Sequence, residues 1–270
     1  MGIKFLYNMI EKKRPLILIT NDDGFRARGI RVLTEYLKDV ADIIVFAPDS
    51  PQSGMSSAIT SINPLRYFLY KEEDNVKTYI CNGTPVDCVK LAMCVLDEKP
   101  DMIFSGINHG SNAAVSVIYS GTMGAAIEGC IFGIPSVGMS LCDFSVDADF
   151  SQSGVIATRI AEKLMEEGLP NGICLNVNVP KGEVKGIQIA SQTQGKWTNE
   201  YYAAKDGAQR DVYWLRGNFD NWEADNKETD EWALTNGYAA VVPVKINMTD
   251  YEHISKLKHW EEELSIEYKA

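Results

Sequence analysis

The stretch that most constrains this chain is Leu16-Ile17-Leu18-Ile19-Thr20-Asn21-Asp22-Asp23-Gly24. An unbroken apolar run containing β-branched residues reads as a strand buried on both faces, as in a parallel sheet. Asn, Asp and Gly then end the strand and turn the chain. Ile30, Leu33, Tyr36 and Leu37 follow Gly29 at helical spacing. Asp22 and Asp23 therefore stand at the carboxyl end of a parallel strand, ahead of a helix. That is where open α/β sheets place their ligands. An isolated Asn-Asp-Asp-Gly is ordinarily a solvated turn. At a strand end, however, the two adjacent carboxylates are half-buried and repel each other. A hard divalent cation relieves that repulsion, and Mg²⁺ typically uses one or two carboxylates plus substrate phosphates.

The same alternation continues along the chain. Residues 43–48 form a second buried strand, which runs into the turn formers Asp49-Ser50-Pro51-Gln52-Ser53-Gly54. Residues 66–70 and 77–81 are extended and separated by the polar 71–75. Thr84 is an N-cap, Pro85 sits at the first helical position and Asp87 lies near the third, announcing a helix to about Leu96. Residues 101–106 are a third buried strand opening into Ile107-Asn108-His109-Gly110-Ser111-Asn112. A further helix starts at Ser120-Gly121-Thr122, a fourth strand spans 134–141, and a helix spans 156–167. Strands alternating with helices imply an α/β fold with a doubly wound, mostly parallel sheet.

After Pro180 the character changes. Extended segments at 186–192, 212–216 and 239–246 alternate with polar connections such as 218–231, and a charged helix closes the chain near 249–263. This divides the chain into a catalytic core over residues 1–190 and a β-rich extension over 191–270. Trp197, Tyr201, Tyr202, Tyr213 and Trp214 cluster in the extension. Such aromatic density fits packing or subunit contact better than base stacking. With few long apolar runs of its own, the segment must bury its rings against the core or a second subunit.

At 270 residues and 45% hydrophobic content the chain can build one large α/β domain with a small accessory. Its net charge of −11 argues against a nucleic-acid-binding surface, which needs clustered Lys and Arg. A bound cation would still attract an anionic substrate locally. The six cysteines form no C-x-x-C pair and mostly lie in apolar segments, as expected of free thiols in a reducing cytoplasm. The apolar part of residues 1–14 is too short and interrupted for a signal peptide or membrane span.

Three loops follow the carboxyl ends of buried strands and should meet in one crevice. They bring Asp22 and Asp23, Ser53, and the pair Asn108 and Asn112. Carboxylate, hydroxyl and amide oxygens suit Mg²⁺, Mn²⁺ or Ca²⁺ better than zinc. The Ser120-Gly121-Thr122 turn offers free backbone N–H groups and hydroxyls to an anion. A metal beside an anion cradle points to metal-assisted phosphate hydrolysis. The P-loop, dinucleotide, zincin and nucleophile-elbow motifs are absent from the sequence. Asp147-Ala148-Asp149 has the form of an aspartyl-phosphate motif but lacks a preceding buried strand. His109 lies beside Asn108 and reads as a pocket-edge residue rather than a general acid.

Five motifs in order carry a family resemblance. They are Thr20-Asn21-Asp22-Asp23-Gly24; Ala47-Pro48-Asp49 with Gln52-Ser53-Gly54; Asn82-Gly83-Thr84-Pro85-Val86-Asp87-Cys88-Val89; Ser105-Gly106-Ile107-Asn108; and Tyr119-Ser120-Gly121-Thr122. Together they resemble the SurE (survival protein E) family. The resemblance implies a metal-dependent 5′-nucleotidase that hydrolyses nucleoside monophosphates, with 3′-nucleotides and short polyphosphate as further substrates. A non-catalytic nucleotide sensor using the same crevice is the alternative.

The resemblance also implies a Rossmann-like core whose C-terminal extension is exchanged between subunits of a homodimer or homotetramer. One divalent ion per subunit, Mg²⁺ or Mn²⁺, would be held by Asp22, Asp23, Ser53 and Asn108, with Asp22 and Asp23 also catalytic. Asn112, Ser120, Gly121 and Thr122 would contact phosphate; neither nucleic acid nor membrane is an expected partner. One loop departs from the family pattern, with Ala114 in place of a glycine and Ser116 in place of an acidic residue. Loss of the glycine matters if that position needs a positive φ.

Overall fold

The computed structural model describes residues 14–265, so the expectations for residues 1–13 lie outside it. In chain order the strands begin with β1 (Leu16–Thr20), β2 (Asp42–Pro48), β3 (Tyr67–Glu73), β4 (Val76–Cys81), β5 (Met102–His109) and β6 (Ser136–Leu141). They continue with β7 (Ile173–Val179), β8 (Gly186–Ile189), β9 (Gly195–Thr198), β10 (Tyr201–Lys205), β11 (Asp211–Leu215), β12 (Asn218–Asn221) and β13 (Tyr238–Lys245). The helices are α1 (Arg28–Leu37), α2 (Pro85–Val95), α3 (Gly121–Ile131), α4 (Ser151–Glu167), α5 (Asp230–Thr235), α6 (Tyr251–Leu257) and α7 (Trp260–Glu263).

Nine strands form the central sheet in the order β3-β4-β2-β1-β5-β6-β7-β13-β8. It is parallel except for the β3–β4 and β7–β13 pairs. Every residue of β1 is buried. Ile17 and Ile19 join a core with Ile30, Leu33 and Leu37 of α1 and Ile156 and Ile160 of α4. Leu18 faces the opposite layer, with Val89 and Ala92 of α2 and Ala125 of α3. Two helical layers thus explain why β1 shows no polar alternation. Each fully buried side chain of this size contributes on the order of 2 kcal/mol.

The chain runs from β1 outward through β2 and β4, then returns to place β5 on the other side of β1. The β1/β5 gap is therefore the topological switch point, where doubly wound sheets open a crevice at their carboxyl ends. Asn21 to Gly24 leave β1 at that gap, and Asn108 and His109 end β5 beside them.

Four local differences from the sequence reading have physical causes. The polar 71–75 stretch does not separate two strands: Lys71, Glu72 and Glu73 pair with Thr78, Lys77 and Val76, and Asp74 takes a positive φ of 45°. An exposed edge strand tolerates, and is protected by, such charges. Strand β5 runs on past residue 106 to His109, with its register against β6 shifting between Ser105 and Asn108. Helix α4 starts at Ser151 rather than 156, where Asp149 accepts from the Ser151 backbone N–H (3.0 Å) and hydroxyl (2.9 Å). Asp149 of the Asp-Ala-Asp sequence is thereby occupied in starting a helix. Finally β13, read as part of the extension, lies in the central sheet between β7 and β8.

Outside the sheet, β10 pairs with β11 and β12 with β9. Tyr201, Tyr202, Tyr213 and Trp214 of the β10–β11 hairpin are all at least 60% exposed. The charged C-terminal helix is divided into α6 and α7, neither of which has a buried residue. All six cysteines are free, four of them buried. No helix among the described residues is long and apolar enough to cross a membrane.

Candidate active site

The turn after β1 is shaped by its own side chains. Asn21 donates from Nδ2 to the Gly24 carbonyl (3.0 Å), and the Asp22 carbonyl accepts from the Gln52 N–H (2.6 Å). Asp22 is 4% exposed, and its Oδ1 accepts the Thr122 hydroxyl at 2.6 Å. The start of α3 presses directly on this carboxylate: a Cβ at Gly121 would lie 3.0 Å from Asp22 Cβ and 3.1 Å from Oδ2. A side chain there would have to push the Asp22 carboxylate back by a few tenths of an ångström. Asp23, half-buried, accepts the His109 backbone N–H on Oδ2 at 3.3 Å.

Burial raises the Asp22 carboxyl from its ordinary 3.8 to about 6; the Thr122 hydrogen bond lowers it and the Asp23 charge raises it further. Burial likewise raises Asp23, opposed by the His109 N–H and imidazole. The protein thus holds two neighbouring carboxylates whose burial disfavours their charged forms.

Asn108 donates from Nδ2 to the Gly110 carbonyl (3.0 Å), which fixes the amide and leaves Oδ1 as an acceptor. Its neighbour His109 holds Asp23, so Asn108 and the carboxylate pair share one wall. Ser53 is exposed, one residue beyond the Gln52 that grips Asp22. Ser56 secures the far end of that loop, donating from its hydroxyl to the Ile118 carbonyl (2.7 Å) and from its N–H to Tyr119 (3.2 Å). The four expected ligands are thus tied to one another through adjacent residues. Among the described residues no cluster of three His, Cys, Asp or Glu side chains could hold a metal. The donor set here has two carboxylates with hydroxyl and amide oxygens, a chemistry that fits Mg²⁺ or Mn²⁺.

The residues expected to contact phosphate lie on the next loop. Ser120 caps α3, its Oγ accepting from the Met123 N–H at 3.0 Å, so its proton remains available to an anion. The first N–H groups of α3, at Gly121 and Thr122, have no intrahelical acceptor and carry the positive end of the helix dipole. The Thr122 hydroxyl is already given to Asp22, so only its backbone is free to face phosphate. Asn112 is buried: Nδ2 donates to Ser140 Oγ (2.7 Å), its N–H to Asn178 Oδ1 (2.7 Å), and its carbonyl accepts from Asn176 Nδ2 (2.8 Å). His109 is held by Nδ1 against the Asp143 carbonyl (3.2 Å) and stands edge-on to Phe150.

The family model for the survival protein SurE matches residues 17–199. The chain belongs to the SurE family. It is similar to the 5′-nucleotidase SurE of Phocaeicola vulgatus, 49% identical over 93% of this chain and 98% of the relative. It is also similar to that of Bacteroides fragilis, 47% identical over 93% of this chain and 100% of the relative. The crystal structure of the SurE protein from Aquifex aeolicus superposes with a TM-score of 0.79 at 35% identity, covering 92% of this chain and 100% of that one. The fold is accordingly the Rossmann-like α/β fold of SurE, with added C-terminal hairpins.

In this SurE-family chain several supporting residues escaped sequence reasoning. Asn176 and Asn178 alternate along β7, both nearly inaccessible, and are linked by a 2.9 Å hydrogen bond. Two asparagines at i, i+2 inside an apolar strand are a usable signal, because such burial requires partners. Asp230, fully buried, donates no such pattern to the sequence.

The raised carboxylates set a pH dependence. Between pH 3.8 and about 6 the folded protein keeps a proton on Asp22 that the unfolded chain has lost. Stability of the metal-free protein should therefore fall as pH rises across that window. Thermal midpoints in chelator should decline from pH 4.5 to 6.5, and Asp22→Asn should remove most of that decline. An identical pH slope in the variant would refute the assignment.

Proposed function

We propose that this protein is a 5′-nucleotidase that hydrolyses nucleoside monophosphates to nucleoside and phosphate with one bound divalent ion per subunit. The observation carrying this reading is the desolvated Asp22–Asp23 pair at the β1/β5 switch point, pressed against the N-terminus of α3. Asp22, Asp23, Ser53 and Asn108 would hold Mg²⁺ or Mn²⁺. When bound, that cation supplies charge neutralisation of the phosphate oxygens and acidifies water.

The chain's own groups do the rest. Thr122 keeps Asp22 in one rotamer, and the His109 N–H does the same for Asp23. The carboxylate pair accepts the proton of the attacking water, a role suited to groups whose proton affinity has been raised by burial. Ser120 donates its hydroxyl, and Gly121 and Thr122 their N–H groups, to phosphate oxygens, while Asn112 lines the same end. The printed names of the relatives, 5′-nucleotidase SurE, support this substrate class. Release of phosphate from AMP in Mg²⁺ or Mn²⁺ is the direct test, and a protein inert toward AMP, other nucleotides and both metals overturns the reading.

The exposed hairpin aromatics support assembly into a homodimer or homotetramer, since large apolar rings are rarely left to water. The free cysteines support a cytoplasmic location.

Asp22→Asn preserves shape but removes one of two charges, so turnover of AMP should fall about a hundredfold or more. Near-normal turnover would remove Asp22 from the mechanism. His109→Ala should cost much less than Asp23→Ala, because the His109 contact to Asp23 is made by its backbone. Equal losses, with a missing limb in the pH–rate profile, would make His109 the general acid instead. In sedimentation the full chain should run as a dimer or larger at micromolar concentration; an active monomer there would contradict the assembly.

A further inference from the structure

Two structural oddities meet at residue 114. Ala114 is 1% exposed and has a φ of 50°, in the left-handed region that an alanine adopts only under constraint. Its N–H donates to Oδ2 of Asp230 at 2.8 Å, a contact spanning 116 residues of sequence. Asp230 is 0% exposed. Its Oδ1 accepts the Thr193 N–H (3.0 Å), the Thr193 hydroxyl (2.6 Å) and its own helix's Glu231 N–H (2.8 Å).

Thr229, at the N-cap position of α5, makes no side-chain cap hydrogen bond, and Oδ1 of Asp230 accepts one first-turn N–H of that helix itself. Three donors converge on one of its oxygens and orient the side chain, leaving the second oxygen aimed at a single group, the Ala114 N–H. On the other side of the loop, Asn176, Asn178 and Ser140 fix Asn112. The segment 112–114 is thus gripped from both ends, by β7 and by the C-terminal part of the chain. It leads through the 3-10 turn Ala114–Ile118 into Ser120.

We propose that Asp230 is a positioning residue for phosphate binding. Its carboxylate holds Ala114 in the left-handed conformation and thereby sets where Asn112 and Ser120 stand. The proposal rests on the reading of those two residues as phosphate contacts. A merely structural anchor would lower overall stability without a selective effect on phosphate.

The substitution Asp230→Asn separates these cases. With three donors on Oδ1, the amide oxygen stays there and the NH₂ group faces the Ala114 N–H, which it cannot accept. The Michaelis constant for AMP and the inhibition constant for inorganic phosphate should both rise about tenfold, the loss of one charge-assisted hydrogen bond. The Mn²⁺ dissociation constant of the substrate-free protein, measured by calorimetry, should stay within about twofold. Adding Ala114→Gly should recover much of the phosphate affinity, because glycine takes a positive φ without the constraint.

Unchanged phosphate inhibition in Asp230→Asn overturns the proposal, as does a parallel collapse of Mn²⁺ affinity. If Asp230→Asn fails to fold, Thr193→Val loosens the same carboxylate more gently. It should then raise the phosphate inhibition constant about twofold to threefold, and no change would be equally fatal. Asn112→Ala is the control for the underlying reading. If it leaves phosphate inhibition unaltered, the phosphate-contact reading fails on its own. If it weakens phosphate while Asp230→Asn does not, only the positioning role fails.

Discussion

The structure depends on keeping two adjacent carboxylates in the wall of a largely buried crevice. Desolvation is the dominant influence on both Asp22 and Asp23, and it disfavours their charged forms. The surroundings supply only partial relief. Thr122 gives a hydroxyl to Asp22, the His109 backbone gives an N–H to Asp23, and the start of α3 lies against Asp22 with the positive end of its dipole. Under the proposed function, a bound cation would supply the remaining relief. The close packing serves that arrangement. A Cβ at Gly124 would lie 2.3 Å from the Ser56 carbonyl, so the loop bearing Ser53 sits flush on α3. The one helix therefore backs Asp22 and supports the serine loop.

Features set by local chemistry were legible in the sequence. The absence of alternation in residues 16–19 meant burial on both faces, and β1 has a helical layer on each side. The Thr84-Pro85-Val86-Asp87 signature forms the expected capping box, with Asp87 also accepting from Thr60. Asp22, Asp23 and Asn108 were expected at the carboxyl ends of buried strands, and they stand at the ends of β1 and β5. What escaped reading was set by distant pairing. Residues 238–245 have the composition of any short strand, and only their antiparallel register with β7 brings them into the sheet. Thr122 shows the same limit at atomic scale. Its place beside an anion site was readable, but whether its hydroxyl faced a phosphate or Asp22 was decided by the approach of α3.

The loop between Asn108 and Ser120 was expected to be sensitive at Ala114 if that position needs a positive φ. It does take one, at 50°, where an alanine has less freedom than a glycine. Backbone strain of this kind persists only when neighbours over-determine it. Here Asp230 holds the Ala114 N–H, and the asparagines of β7 hold Asn112. Ser116 accepts the Trp197 indole N–H at 3.2 Å.

Trp197 and Asp230 both belong to the chain beyond residue 190, and both bond to residues of the loop between Asn108 and Ser120. The same stretch faces two ways. Inward, a buried carboxylate and an indole N–H reach the substrate loop. Outward, the β10–β11 hairpin carries Tyr202 and Trp214 on its surface, 60% and 64% exposed. Strands β9 and β12 connect these functions, with Trp197 packed edge-on against Phe219 between loop and hairpin. A subunit that covered the outer aromatics would stiffen the hairpins from which Trp197 projects.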